Sequence, residues 1–136
     1  MVRTSRIHEE MDGLLSIMER LREPGGCPWD REQTLESLRT FILEEAYELV
    51  DSIERGDPDA ICEESGDLLL QVVFVAQVCM EKGLFDLADS IRGLNEKLVR
   101  RHPHVFGGER LETGSAVSRN WDIIKQGERR VKREDP

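Results

Sequence analysis

Aromatic residues are scarce in this chain: they make up 5% of its 136 positions, so a core must be aliphatic, which suits a bundle of helices. Cysteine is also sparse, and Cys27, Cys62 and Cys79 are odd in number with no CxxC spacing. That excludes a disulfide framework, gives no zinc site, and fits reduced thiols in the cytoplasm. A long hydrophobic run is missing too. The most apolar stretch, Leu68 to Met80, is interrupted by Gln71 and Gln77 and is too short to span a bilayer, so it reads as a central buried helix. Met1 to Glu10 is polar and charged and carries no signal pattern. No strand-like alternation, internal repeat or low-complexity tract appears. Positive charge is in deficit: 19 Lys and Arg against 28 Asp and Glu leave a net charge of −9, which argues against general nucleic-acid binding. A polyanionic ligand would need a metal and local basic residues to help it bind. The length suits one domain and is short for two.

What the chain has in abundance is carboxylate, and it is clustered. Glu44-Glu45-Ala46-Tyr47-Glu48 is followed, after fifteen intervening residues, by Glu64-Ser65-Gly66-Asp67. Leu35, Leu38, Ile42, Leu49 and Ile53 form a helical apolar stripe in which Glu45 takes the place of a missing member, with Glu48 one turn on. In the next segment the seam runs Ala60, Glu64, Asp67, Gln71, Phe74, Val78, with Leu68, Val72 and Val75 beside it. Acids at seam positions are expected to face inward. Four buried carboxylates must then raise their pKa values or hold cations, and oxygen-only ligands select Mg²⁺, Mn²⁺ or Ca²⁺.

Turn chemistry divides the chain into five expected helices. The first runs from about Arg6 to Leu21, its face made by Ile7, Met11, Leu14, Leu15, Met18 and Leu21, and ends at Pro24-Gly25-Gly26. A loop, Cys27-Pro28-Trp29-Asp30, leads to Thr34, the expected N-cap of the first acidic helix. Gly56-Asp57-Pro58 makes a short connection, which predicts that the two acidic helices are antiparallel neighbours. Gly66, between the acids, is either a place for close approach of a metal or helix or a tolerated glycine. Gly83 closes the central helix, and a fourth helix from about Phe85 to Arg101 carries Leu87, Ile91, Leu94 and Leu98. His102-Pro103-His104 breaks it, Val105 to Gly114 reads as loop, and a last helix from about Ser115 to Val131 leads into a basic tail through Arg133.

Acids that hold Mg²⁺ without histidine commonly bind substrates whose phosphates complete the coordination shell. A di-iron carboxylate bundle would require Glu-x-x-His on two helices, and none is present; a calcium-storage loop of the D-x-D-x-D-G kind is also absent. Lys97 and Arg101, with Arg100 and Asn95 nearby, offer cations for phosphate, and Trp121 with Lys125 offers an aromatic face beside a charge. A solvated acidic face, or a non-catalytic dimeric module using the acids for helix pairing or partner recognition, is the competing class of reading.

Several motifs in order resemble one family. Gly26-Cys27-Pro28-Trp29-Asp30, the pattern EExxE followed by ExxD, Gly66-Asp67-Leu68-Leu69-Leu70-Gln71, and the run from Asn95 through Arg100-Arg101-His102-Pro103-His104-Val105-Phe106 are similar to the MazG nucleoside triphosphate pyrophosphohydrolases over about Met11 to Lys125. The resemblance implies an all-α helix bundle completed by dimerisation into a homodimer or higher homo-oligomer, spanning 1–136 as one such domain. Many members carry two in tandem. It implies Mg²⁺, with Mn²⁺ as a substitute, held by Glu45, Glu48, Glu64 and Asp67, with Glu44 and Glu63 as water-orienting neighbours. Lys97 and Arg101 match positions that contact the triphosphate, Asn95 lies beside them, and Trp121 and Lys125 match positions near the nucleotide. The implied reaction cleaves a nucleoside triphosphate between its α and β phosphates, giving the monophosphate and pyrophosphate in nucleotide-pool house-cleaning. A narrower dUTP or dCTP pyrophosphatase is the alternative within the superfamily, and the Cys-Pro-Trp-Asp and RRHPHVF stretches favour the MazG branch. Ser65 departs from the aliphatic residue usual there, which is expected to loosen local packing.

Overall fold

Local signals start and stop the helices where side-chain and backbone chemistry require. In the computed structural model, which describes residues 4–134 with side chains through Lys132, Thr34 accepts from the Ser37 amide at 3.2 Å and the Ser37 hydroxyl accepts from the Thr34 amide at 2.9 Å. This reciprocal capping box opens α3 (Leu35–Arg55). Gly56, at φ 66°, closes it, its backbone N–H donating a hydrogen bond to the Ile53 carbonyl at 3.0 Å. Asp57 then caps α4 (Pro58–Glu81), its carboxylate accepting from the Asp59 and Ala60 amides, with Pro58 in the first turn where a missing N–H costs nothing.

The other elements are α1 (Thr4–Arg22), α2 (Pro28–Glu32), α5 (Leu87–Arg101), α6 (Pro103–Phe106) and α7 (Gly114–Glu134), and no strand occurs among the described residues. All five expected helices are present. Two short ones join them, α2 in the Cys27–Asp30 loop and α6 just after the break at His102. Both begin with proline, which ends one helix yet has the right φ to start another. The far end of the expected basic tail, from the Arg133 side chain onward, lies outside the described residues.

The chain divides into two compact units, residues 1–87 and 88–136. In the first, α4 folds back along α3 and also packs on α1. Met18, Leu38, Val73, Phe74 and Val78 form the buried cluster, with Leu14, Leu35, Phe41, Ile42, Leu70, Val75 and Leu87 against it. The α4 seam is therefore wider than one stripe. Gln71, Phe74 and Val78 are buried as expected, but Val73 is buried as well and Val72 is exposed, because α4 has a neighbour on two sides. Ile53 and Ile7, expected on apolar faces, are exposed. In the second unit α5 keeps no fully buried residue, and its stripe Ile91, Leu94 and Leu98 is exposed.

Gly26 shows why the turn after α1 needs glycine. A Cβ there would collide with the carbonyls of Arg20 and Leu21. Gly66 is the opposite case: a Cβ meets nothing within 4 Å, so no neighbouring helix of this chain approaches it closely. Ser65 is exposed, so it has no packing to loosen.

Candidate metal centre and anion cleft

Antiparallel pairing of α3 and α4 brings Glu45 against Glu64 and Asp67. Each offers one carboxylate oxygen, and the three oxygens lie within 4.8 Å of one another. All three residues are half-buried. Partial desolvation, followed by the charges of Asp67, Glu48 and Glu44, raises the pKa of Glu45 above its ordinary value. Glu64 is raised in the same way, by desolvation and then by Asp67, Glu48, Glu45 and Glu63. The charges that move these two groups are all negative. The donor set fits a hard divalent cation. Oxygens bound at about 2.0–2.4 Å on one ion stand no more than about 4.8 Å apart, and like charges at such spacing repel unless a cation sits among them.

The inward expectation holds only for part of the set. Glu48, expected as a fourth ligand, is exposed and stands outside the trio, although it is close enough for its charge to act on both Glu45 and Glu64. Glu44 and Glu63 are likewise exposed at the edge of the cluster. The reason is angular: the face that α3 turns to α4 is narrower than the arc that Glu44, Glu45 and Glu48 cover.

One structural anchor near this unit left no signal in the sequence. Arg22, in the last turn of α1 with its side chain only 9% exposed, donates to the carbonyls of Asp30 at 2.6 Å and Gln33 at 3.1 Å. It also forms a two-pronged pair with Glu81 at 2.6 and 3.1 Å and lies over the Phe74 ring. The hydrogen bond from Arg22 outweighs partial desolvation and, with one from Gln77, holds Glu81 below its ordinary pKa. Arg22 thus fastens the Cys-Pro-Trp-Asp segment, which leads into α3, to the end of α4. Trp29 of that segment packs edge-on against Phe41, with ring centroids 5.5 Å apart.

The second unit holds the basic candidates. Lys97, Arg101 and Lys125 line one cleft of about 170 Å³ together with Arg100, Glu128, Arg129 and Lys132. Lys97, Arg100 and Arg101 come from α5, and the rest from α7. Trp121 lies under the Arg101 guanidinium, 5.4 Å from its ring centroid, and the His102 ring meets Trp121 edge-on at 4.8 Å. Asn95 is exposed and is not among the residues lining the cleft. Glu128 was not anticipated. Its carboxylate accepts from Arg100 Nη2 at 2.9 Å and Arg101 Nε at 3.1 Å. Burial works to raise the Glu128 pKa, but these bonds and the two positive charges outweigh it and hold the carboxyl below its ordinary value. The spacing of Trp121, Lys125, Glu128 and Lys132 on one helical face was the available sign.

Residues 33–106, which include the acidic trio and Lys97 and Arg101, match the MazG nucleotide pyrophosphohydrolase domain. The chain is 51% identical over 120 residues to a nucleoside triphosphate pyrophosphohydrolase/pyrophosphatase MazG of Thermotoga maritima, covering 88% of this chain and 46% of that protein. It is 49% identical over 124 residues to a nucleoside triphosphate pyrophosphohydrolase of Escherichia coli K12, covering 90% of this chain and 47% of that one. The chain therefore spans about half the length of these relatives. A crystal structure of a MazG-related protein from Thermotoga maritima superimposes with a TM-score of 0.69 at 30% identity, covering 85% of this chain and 98% of that one. The all-helical architecture, the paired acidic helices and these matches together make the chain a member of the MazG nucleotide pyrophosphohydrolase domain family.

Proposed function

We propose that this chain is a Mg²⁺-dependent nucleoside triphosphate pyrophosphohydrolase that yields a nucleoside monophosphate and pyrophosphate, acting as a single domain in nucleotide-pool house-cleaning. The observation that carries the reading is the trio Glu45, Glu64 and Asp67, converged within 4.8 Å with only negative charges acting on Glu45 and Glu64. When bound there, Mg²⁺ would neutralise triphosphate charge and make a water more acidic. Glu48 completes the ligand set from the edge of the cluster. Glu44 and Glu63 stand at the same edge, where a carboxylate can orient a water and take its proton. Lys97, Arg101 and Lys125 neutralise the pyrophosphate that leaves, and Trp121 supports Arg101 and offers a flat face near the nucleotide. Mn²⁺ fits the same oxygen donors. The three cysteines are unpaired thiols, in keeping with a cytoplasmic setting.

On the face of α3 turned away from its core stripe, Leu43, Tyr47 and Val50 are exposed at i, i+4, i+7 spacing, Tyr47 by 74%. A second copy of the chain covers this face in the proposed homodimer, since an apolar stripe of this kind is seldom left in water.

The experiment is a panel of ribo-, deoxy- and modified nucleoside triphosphates, with and without Mg²⁺, with product identification by ion-exchange chromatography. Monophosphate and pyrophosphate in equal amounts are expected, with Mg²⁺ required. Release of orthophosphate instead, or no turnover on any triphosphate, would refute the reaction assigned and return the acids to a role in helix or partner association.

A further inference from the structure

The anion cleft contains its own carboxylate, and Glu128 is placed unlike a surface counter-ion. Its side chain is 18% exposed and faces Arg101, which is 17% exposed, while Arg100 on the other side is 52% exposed. Arg101 is held from two directions. Glu128 takes its Nε, at 3.1 and 3.3 Å to the two carboxylate oxygens, and Trp121 lies against its plane. Guanidinium carries five N–H donors, and the bond to Glu128 uses the one on Nε, which leaves those on the terminal nitrogens for a ligand. An arginine otherwise free to sample many rotamers is thereby ordered before any anion arrives.

We propose that Glu128 is a positioning residue for polyphosphate, acting through Arg101, the more buried of the two arginines it holds. The proposal rests on the reading of this cleft as a phosphate site. Charge alone predicts the opposite behaviour: removing a carboxylate from a cleft lined by six cations should tighten binding of a polyanion. If Glu128 instead orders Arg101, its neutralisation weakens binding even though the cleft becomes more positive. The sign of the effect therefore separates the two. A purely structural role, in which Glu128 only ties α5 to α7, is separated by coupling. Once Arg101 is gone, Glu128 keeps only the exposed Arg100 to position, so its neutralisation should cost much less there, whereas a structural loss would be the same in both backgrounds.

The test measures the dissociation constant of inorganic tripolyphosphate for the whole chain by isothermal titration calorimetry in EDTA, with far-ultraviolet circular dichroism on each variant. Glu128→Gln should weaken binding about tenfold and Glu128→Asp, which keeps the charge but withdraws it, about threefold. Arg101→Ala should weaken binding about tenfold or more, and adding Glu128→Gln to it should cause a further loss of about twofold at most, through Arg100. Unchanged or tighter binding by Glu128→Gln overturns the proposal, as does an equal loss with and without Arg101. If Glu128→Gln does not fold, Glu128→Asp decides, and loss of helical signal in both makes the carboxylate a folding element and overturns the proposal as well. Lys97→Ala and Lys125→Ala serve as the separate check. If both bind tripolyphosphate like the parent, the phosphate reading of the cleft is what has failed.

Discussion

Between α3 and α4, three carboxylates converge and every charge acting on Glu45 and Glu64 is negative; between α5 and α7, six cations gather around one carboxylate that holds two of them in place. In the first cluster, partial desolvation and like charge raise the pKa values of Glu45 and Glu64, and no positive charge among the described residues counters this. The second is already ordered by Glu128 and retains a surplus of positive charge for an anion. Unmatched charge of either sign in a half-buried setting is expensive, so each cluster specifies the sign of what it should bind. Matched charge looks different, as the Arg22–Glu81 pair shows, with all of its geometry spent on joining parts of the fold.

Removing a carboxylate from the acidic cluster should have the largest effect. Asp67→Ala should lower kcat for triphosphate hydrolysis by about a thousandfold or more while leaving the helical circular dichroism intact, and Glu48→Ala should also abolish turnover if the exposed acid serves as the fourth ligand. Persistent Mg²⁺-dependent hydrolysis in either variant would remove that residue from the site. Next in size is the cationic side: Lys97→Ala or Lys125→Ala should raise KM about tenfold, read from initial rates over a range of triphosphate concentrations. An unaltered KM would leave that lysine a surface charge.

Smaller effects distinguish strained charge from matched charge. Mg²⁺ at about ten times its Kd should raise Tm by about 4 °C, and Glu45→Gln should shrink that rise, measured by differential scanning calorimetry. The pH responses have opposite signs. Glu45 and Glu64 have raised pKa values in the fold, so the folded state takes up protons more readily than the unfolded chain. Their contribution to metal-free stability is present below the unfolded pKa and is lost as pH rises through the folded values. Glu81 has a depressed pKa, so its contribution is present above the unfolded value and is lost as pH falls through the folded one. Glu45→Gln should therefore flatten the decline in metal-free stability from mildly acid to neutral pH, and Glu81→Gln should flatten the loss in stronger acid. Urea midpoints across pH would show both, and a common direction for the two variants would contradict the distinction.

Much of this was readable in the residues. Thr34, Gly56, Asp57 and Pro58 are local signals, effective within one turn of the chain, and each sits where its chemistry ends or begins a helix. The short link between α3 and α4 made them neighbours, and the acids at 45, 64 and 67 followed from helical period alone. Periodicity failed where a helix has more than one neighbour: Val73 became core and Val72 did not, because α1 covers a second face of α4. It also could not separate Glu48 from Glu45, since a difference of about 60° around the helix decides which acid reaches the partner helix.

The all-helical class, the helix boundaries to within a few residues, the acid-bearing pair and the family are legible in the residues alone, because these depend on interactions between residues close in the chain or on motifs read in order. Only the tertiary structure decided that Glu45, Glu64 and Asp67 converge while Glu48 stays at the edge, that Arg22 reaches Glu81 and the Asp30 carbonyl, and that Glu128 binds Arg101. The Arg22 bonds span 8 and 59 positions and the Arg101–Glu128 bond spans 27, and no local pattern records which of many exposed charges a folded backbone will bring together.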